Sequence, residues 1–89
     1  MLKVLICDDS AFMRKIFSDT IEKDPELDVA ATAYNGQDAL RKLKKLDIDL
    51  LMLDVEMPKL NGLETLEIVK DKYPELPVIM VSALDNRET

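Results

Sequence analysis

Residues 50–62, Leu50-Leu51-Met52-Leu53-Asp54-Val55-Glu56-Met57-Pro58-Lys59-Leu60-Asn61-Gly62, decide the fold. The apolar run between Asp49 and Asp54 has the pattern of a strand buried on both faces, as in the middle of a parallel sheet. The chain then leaves the core. Pro58 cannot continue a ladder, and Asn61-Gly62 has the turn chemistry from which a helix starts. Asp54 is thereby expected at the C-terminal end of a central strand, the edge where open α/β sheets bind ligands because their loops diverge there. An isolated aspartate in that position needs no role beyond capping a turn. This one has company elsewhere in the chain.

Working outward, Val4 to Cys7, extending back to Leu2, repeats the pattern: a compact apolar run that stops at Asp8 and Asp9. Ser10 is the expected N-cap of a first helix reaching about Lys23, with Phe12, Met13, Ile16, Phe17, Thr20 and Ile21 at helical spacing. Asp24-Pro25 ends it. Val29 to Ala33 reads as a weaker strand of small residues, suited to a sheet edge or to the space beneath a helix. Asn35 is the expected cap of a second helix, with Asp38 in its first turn and Ala39, Leu40, Leu43 and Leu46 as its buried stripe. A third helix is predicted over 63–72 with Leu63, Leu66, Val69 and Tyr73 inward, and Pro74 and Pro77 punctuate its exit. Val78 to Val81 is a fourth apolar strand ending at Ser82. Strand–helix alternation of this kind predicts a parallel sheet with right-handed crossovers.

Composition narrows the chemistry. Eighty-nine residues make one domain with a small core. A single cysteine, Cys7, allows no intrachain disulfide, and the absence of histidine excludes imidazole-based catalysis and His-containing zinc sites. Within its apolar strand, Cys7 is expected to be a small core residue. The net charge of −6, with twelve basic residues interspersed among acids, argues against nucleic acid as a partner. Arg41-Lys42-Leu43-Lys44-Lys45 is expected to be the solvated face of the second helix, with a partner patch as the lesser alternative. The first ten residues hold too short an apolar run for a signal peptide or a membrane span, so a cytoplasmic protein with no membrane contact is expected.

Strand ends on adjacent strands lie about 4.8 Å apart, so Asp8, Asp9 and Asp54 are expected to converge on one crevice. Three carboxylates that close call for a cation. An all-oxygen set of carboxylates, a carbonyl and water suits Mg²⁺. A carboxylate beside Mg²⁺ is also a competent nucleophile toward a phosphoryl group, giving an acyl phosphate. Ser82 is placed to hydrogen-bond such a group on Asp54, and Ala83 leaves room for the donor or for water. Adjacent acids at a helix start and a terminal serine have ordinary capping roles one at a time. Three apolar strands ending in Asp-Asp, Asp and Ser together are a poor match for chance.

The set DDS at Asp8 to Ser10, Asp-x-x-Met-Pro at Asp54 to Pro58 followed by Asn61-Gly62, and Ser82-Ala83 resembles bacterial response-regulator receiver domains. Within that family, residues 8–14, 53–66 and 78–84 look most like the receiver of the chemotaxis protein-glutamate methylesterase. The resemblance implies a flavodoxin-like doubly wound sheet and a two-component signalling role. Asp54 is implied as the acceptor of a phosphoryl group from a histidine kinase, with an output domain or chemotaxis partner responding. It also implies Mg²⁺ bound directly by Asp9, through water by Asp8, at Asp54, and at the backbone carbonyl of Glu56, with Ser82 as a hydroxyl switch. Periodicity alone does not separate Asp8 from Asp9.

The resemblance covers all 89 residues as one receiver domain, yet only as four strands and three helices, in expected order 2-1-3-4. The family's fourth helix, fifth strand and fifth helix have no counterpart, nor does the fifth-strand lysine that would pair with the phosphoryl group. These 89 residues are not expected to include an esterase domain, so no esterase activity is assigned to them. An unpaired edge on the fourth strand and a partly bare sheet face beside the first helix are expected, which a second copy could cover as a homodimer. A fragment of a longer natural chain is equally compatible with the sequence, and two functional alternatives remain: a phosphorylation-deficient interaction or self-assembling receiver fragment, and a Mg²⁺-dependent aspartyl phosphatase of the haloacid dehalogenase type. The latter fits poorly, because it wants a second aspartate where Glu56 stands.

Overall fold

The computed structural model describes residues 1–55 and 62–81. Strands β1 (Leu2–Cys7), β2 (Leu27–Ala33), β3 (Leu50–Asp54) and β4 (Val78–Val81) alternate with helices α1 (Ala11–Glu22), α2 (Gly36–Lys45) and α3 (Gly62–Lys72). The strands are all parallel and stand in the order β2-β1-β3-β4, the flavodoxin-like arrangement expected from the alternation. As its small side chains implied, β2 lies at an edge, and β1 and β3 are the inner strands.

Register sets up the functional edge. Cys7 lies level with Leu53 across the β1–β3 pair and with Ala33 across β1–β2. The next residue along each inner strand is therefore a carboxylate, Asp8 on one and Asp54 on the other. The backbone carries the alignment past the strands: Asp8 N–H donates to Ala33 carbonyl at 3.0 Å, and Val55 N–H to Val81 carbonyl at 2.9 Å.

The core has two unequal halves. On one face Leu5, Cys7, Leu51 and Leu53 pack with Ala33, Ala39, Leu43 and Val69, beneath α2 and α3. The other face holds Val4 and Ile6 against Ile21 of α1, with Phe17, Leu27, Val29, Leu50 and Met52 partly buried around them. Among the described residues only α1 covers that second face, so β3 is buried fully on one side and partly on the other rather than on both. Ile79, on β4, is 47 % exposed, which agrees with the bare area expected there.

Two helix positions differ from the sequence reading. Leu63 is 59 % exposed, because the inward row of α3 is Gly62, Thr65 and Val69, flanked by Leu66 and Tyr73. A glycine and a threonine do not register as core in an apolar count. Leu46 is 41 % exposed: it is the C-cap of α2, with extended backbone, so helical spacing no longer governs where it points. On α1, Phe17 and Ile21 pack on the sheet, whereas Phe12 and Ile16 are exposed.

Candidate functional site

Asp8 and Asp54 are 4 % and 5 % exposed, whereas Asp9 faces solvent. One carboxylate oxygen from each of the three lies within 4.8 Å of the others. The convergence expected from the strand ends is therefore present. Glu56, Ser82 and Ala83, the remaining predicted site residues, lie outside the described residues.

Local structure fixes the first pair. Ser10 caps α1: its hydroxyl accepts from Met13 N–H at 3.2 Å, and its own N–H donates to the Asp8 carboxylate at 2.9 Å. The Asp8 side chain is thus held by the turn that starts the helix, leaving its remaining lone pairs for the crevice. Arg14, one turn into α1, donates from its guanidinium to the Asp8 main-chain carbonyl at 2.7 Å. That contact ties the helix to the strand end and brings a cation near the acidic cluster. Sequence reasoning gave Arg14 no role, although it closes the DDSAFMR stretch.

At the β3 end, Gly62 N–H donates to the Val55 carbonyl at 3.1 Å. The start of α3 thus lies against the residues that present Asp54. Asn61-Gly62 was read as turn chemistry. Packing supplies a second and stronger reason for the glycine.

A buried aspartate props the site from the other side. Asp38, 2 % exposed in the first turn of α2, accepts from Tyr34 N–H at 3.3 Å and from Lys42 Nζ at 3.2 Å, and pairs with the Arg41 guanidinium. Lys42 Nζ also donates to the Thr32 carbonyl. Burial pushes the Asp38 carboxyl up, but the Lys42, Tyr34 and Arg41 donors outweigh it and hold the group below the ordinary carboxylate range. The β2–α2 turn is fixed by these bonds and by the Asn35 cap, whose Oδ1 accepts from Asp38 N–H at 2.7 Å. Asn35 in turn accepts the Cys7 thiol at its carbonyl, 3.3 Å away, directly behind the strand end. Burial, then the charges of Asp38, Asp54 and Asp8, push the Cys7 thiol up to about 12. It stays protonated at neutral pH, in keeping with the core role read from sequence.

The donor set fits Mg²⁺. Oxygens bound directly to an octahedral ion at about 2.0–2.1 Å can be no more than about 4.2 Å apart. Three carboxylates with one oxygen apiece within 4.8 Å of the others are close to that spacing and can gather around one ion. Soft or nitrogen-preferring metals have nothing to recommend them here, since the three ligands are carboxylates and the nearby thiol is protonated.

The profile of the response regulator receiver domain family matches residues 4–89. The protein-glutamate methylesterase/protein-glutamine glutaminase of Pyrococcus horikoshii is 51 % identical over 83 residues, 93 % of this chain and 22 % of its own length. The chain thus spans under a quarter of that relative. Among solved structures, the response regulator domain of Thermotoga maritima CheB superposes with a TM-score of 0.88 at 40 % identity, covering 98 % of this chain and 64 % of its own. The response regulator TrrA of Thermotoga maritima, solved in complex with Mg²⁺-BeF, gives a TM-score of 0.88 at 29 % identity, covering 96 % and 72 %.

Proposed function

The chain belongs to the response regulator receiver domain family, and from that premise we propose that it accepts a phosphoryl group on Asp54 from a histidine kinase, with Mg²⁺ held by the neighbouring carboxylates. The observation that carries this reading is the convergence of Asp8, Asp9 and Asp54 at the C-terminal edge of the inner strands. A carboxylate oxygen of Asp54 attacks the donor phosphorus, a P–O bond forms as the P–N bond to the phosphohistidine breaks, and the imidazole leaves with the electron pair and takes up a proton. Bound Mg²⁺ offsets the repulsion between an anionic nucleophile and an anionic donor.

The chain's own residues supply the rest. Asp9 would hold the ion directly and Asp8 through water, with Asp54 and the Glu56 carbonyl completing the protein's share. The Ser82 hydroxyl donates a hydrogen bond to a phosphoryl oxygen carried on Asp54, and the small side chain of Ala83 is suited to admitting the donor or water. The response is passed to an output domain or chemotaxis partner, a role supported by the likeness to methylesterase receivers. Among the described residues β4 pairs only with β3, which supports self-association along its outer edge. A monomer in sedimentation at high concentration would remove that part of the proposal.

Phosphoramidate, whose P–N bond stands in for phosphohistidine, tests the chemistry and the position together. After incubation with Mg²⁺, borohydride reduces an acyl phosphate to the alcohol, converting the labelled aspartate to homoserine. Peptide mass mapping should place homoserine at position 54 alone. Conversion at another carboxylate would refute the assignment, and Mg²⁺ binding to a folded protein without any conversion would favour an interaction module.

A further inference from the structure

A second surface lies at the opposite end of the sheet. The helices run antiparallel to the strands, so α2 and α3, side by side on one face, bring their C-terminal turns together far from the acidic crevice. Those last turns carry Lys42, Lys44 and Lys45 on α2 and Lys70 and Lys72 on α3, in a chain whose net charge is −6. Cations there complement the helix dipoles, which accounts for some of them. It does not account for the shape they surround.

Between the helices is a cleft of about 210 Å³ lined by Leu40, Arg41, Lys44, Lys72 and Tyr73, with no carboxylate in its walls. Arg41 is paired with Asp38, but Lys44 and Lys72 have no ion-pair partner among the described residues. Tyr73 is also a wall of a larger hollow of about 470 Å³, whose other lining includes Leu43, Ile48, Leu76 and Pro77. An apolar hollow and a basic cleft therefore share one aromatic residue. Asp49 and Glu75 also line the larger hollow, so the carboxylates belong to its walls and the basic cleft has none.

We propose that this surface docks an acidic peptide segment of a partner protein, seating a bulky apolar side chain in the hollow beside Tyr73 and its flanking carboxylates on Lys44 and Lys72. The apolar hollow supplies desolvated contact area and the cations supply orientation and on-rate. A simple polyanion would use the lysines but leave the hollow empty. Docking here is independent of phosphoryl chemistry, because none of these residues belongs to the crevice at the other end of the strands.

The test is selection of a displayed random dodecapeptide library on the immobilised chain, without Mg²⁺ or phosphodonor. The expected result is enrichment of peptides with acidic residues flanking Leu, Phe or Trp. Their affinity should fall about tenfold or more in Lys44→Glu/Lys72→Glu, by less in Lys44→Gln/Lys72→Gln, and with rising salt. Circular dichroism melts of the variants matched to the parent establish that the fold is intact. Enrichment of peptides without acidic residues, undiminished binding to the charge-reversed variant, or binding of anionic vesicles or RNA with no peptide selected would each overturn the proposal.

Discussion

A Cβ placed on Gly62 would lie 2.2 Å from the carbonyl oxygen of Asp54 and 2.6 Å from Cα of Val55. Both neighbours are backbone atoms, which cannot swing aside as a flexible side chain can. The first turn of α3 therefore presses directly on the peptide that presents Asp54, and only glycine permits it. Gly62→Ala is expected to displace that peptide, costing about 1–3 kcal/mol as an overpacked contact. Acetyl phosphate labelling should slow in the same variant, while Leu63→Ala, at an exposed neighbour, leaves both the melt and the labelling near the parent values.

The carboxylate cluster makes an opposite-signed prediction with and without metal. In chelator, Asp9→Asn should melt higher than the parent, because it relieves repulsion among three carboxylates within 4.8 Å. Adding Mg²⁺ should raise the parent's stability by about 2.7 kcal/mol at a hundredfold excess over Kd, and the variant's by much less. Melting curves of both proteins across a Mg²⁺ titration should therefore cross. Curves that stay parallel would remove Asp9 from the site.

Asp38 links acid stability to the same edge of the sheet. Its carboxyl titrates below the ordinary range when folded, so its stabilising contribution is complete above the unfolded value of about 3.9 and is lost as pH falls through the folded value. Asp38→Asn should cost about 1–3 kcal/mol at pH 7, as expected for buried hydrogen bonds to charged groups. The gap between variant and parent should close as the pH drops below about 4. Denaturant melts at pH 7 and at acidic pH measure the difference.

Cys7 governs the alkaline side. Its thiol is raised to about 12 when folded, against about 8.5 in an unfolded chain. The sign follows: from about pH 8.5 upward the unfolded state loses its proton first and gains stability, so the native state weakens until the folded value is passed. Cys7→Ala should flatten this alkaline decline, although it loses some packing at all pH values. At neutral pH a thiol reagent should label native Cys7 only at the rate of opening.

Much of this was legible in the chain because strand ends carry their chemistry in sequence. An apolar run cut off by a carboxylate marks both the strand and the edge at which its last side chain emerges, which is why Asp8, Asp9 and Asp54 could be brought together before any geometry was known. Helix faces were less legible where the helices end. Leu46 is a cap rather than a helical residue, and Leu63 lies beside an inward row made of Gly62, Thr65 and Val69. Asp38 was placed in the first turn of α2, but spacing could not show that it is buried beneath Arg41 and Lys42. Nor could it show the approach of Gly62 to Asp54, which depends on the path of two elements rather than on either sequence. The gathering of Arg41 and Lys44 with Lys72 around Tyr73 is likewise a product of helix packing.

The intact mass of the protein after incubation with acetyl phosphate and Mg²⁺ tests the central claim most directly. One phosphoryl group should appear on the parent, disappear when Mg²⁺ is chelated, and be absent from Asp54→Asn. An unmodified parent that still melts cooperatively would contradict the account, as would equal modification of Asp54→Asn.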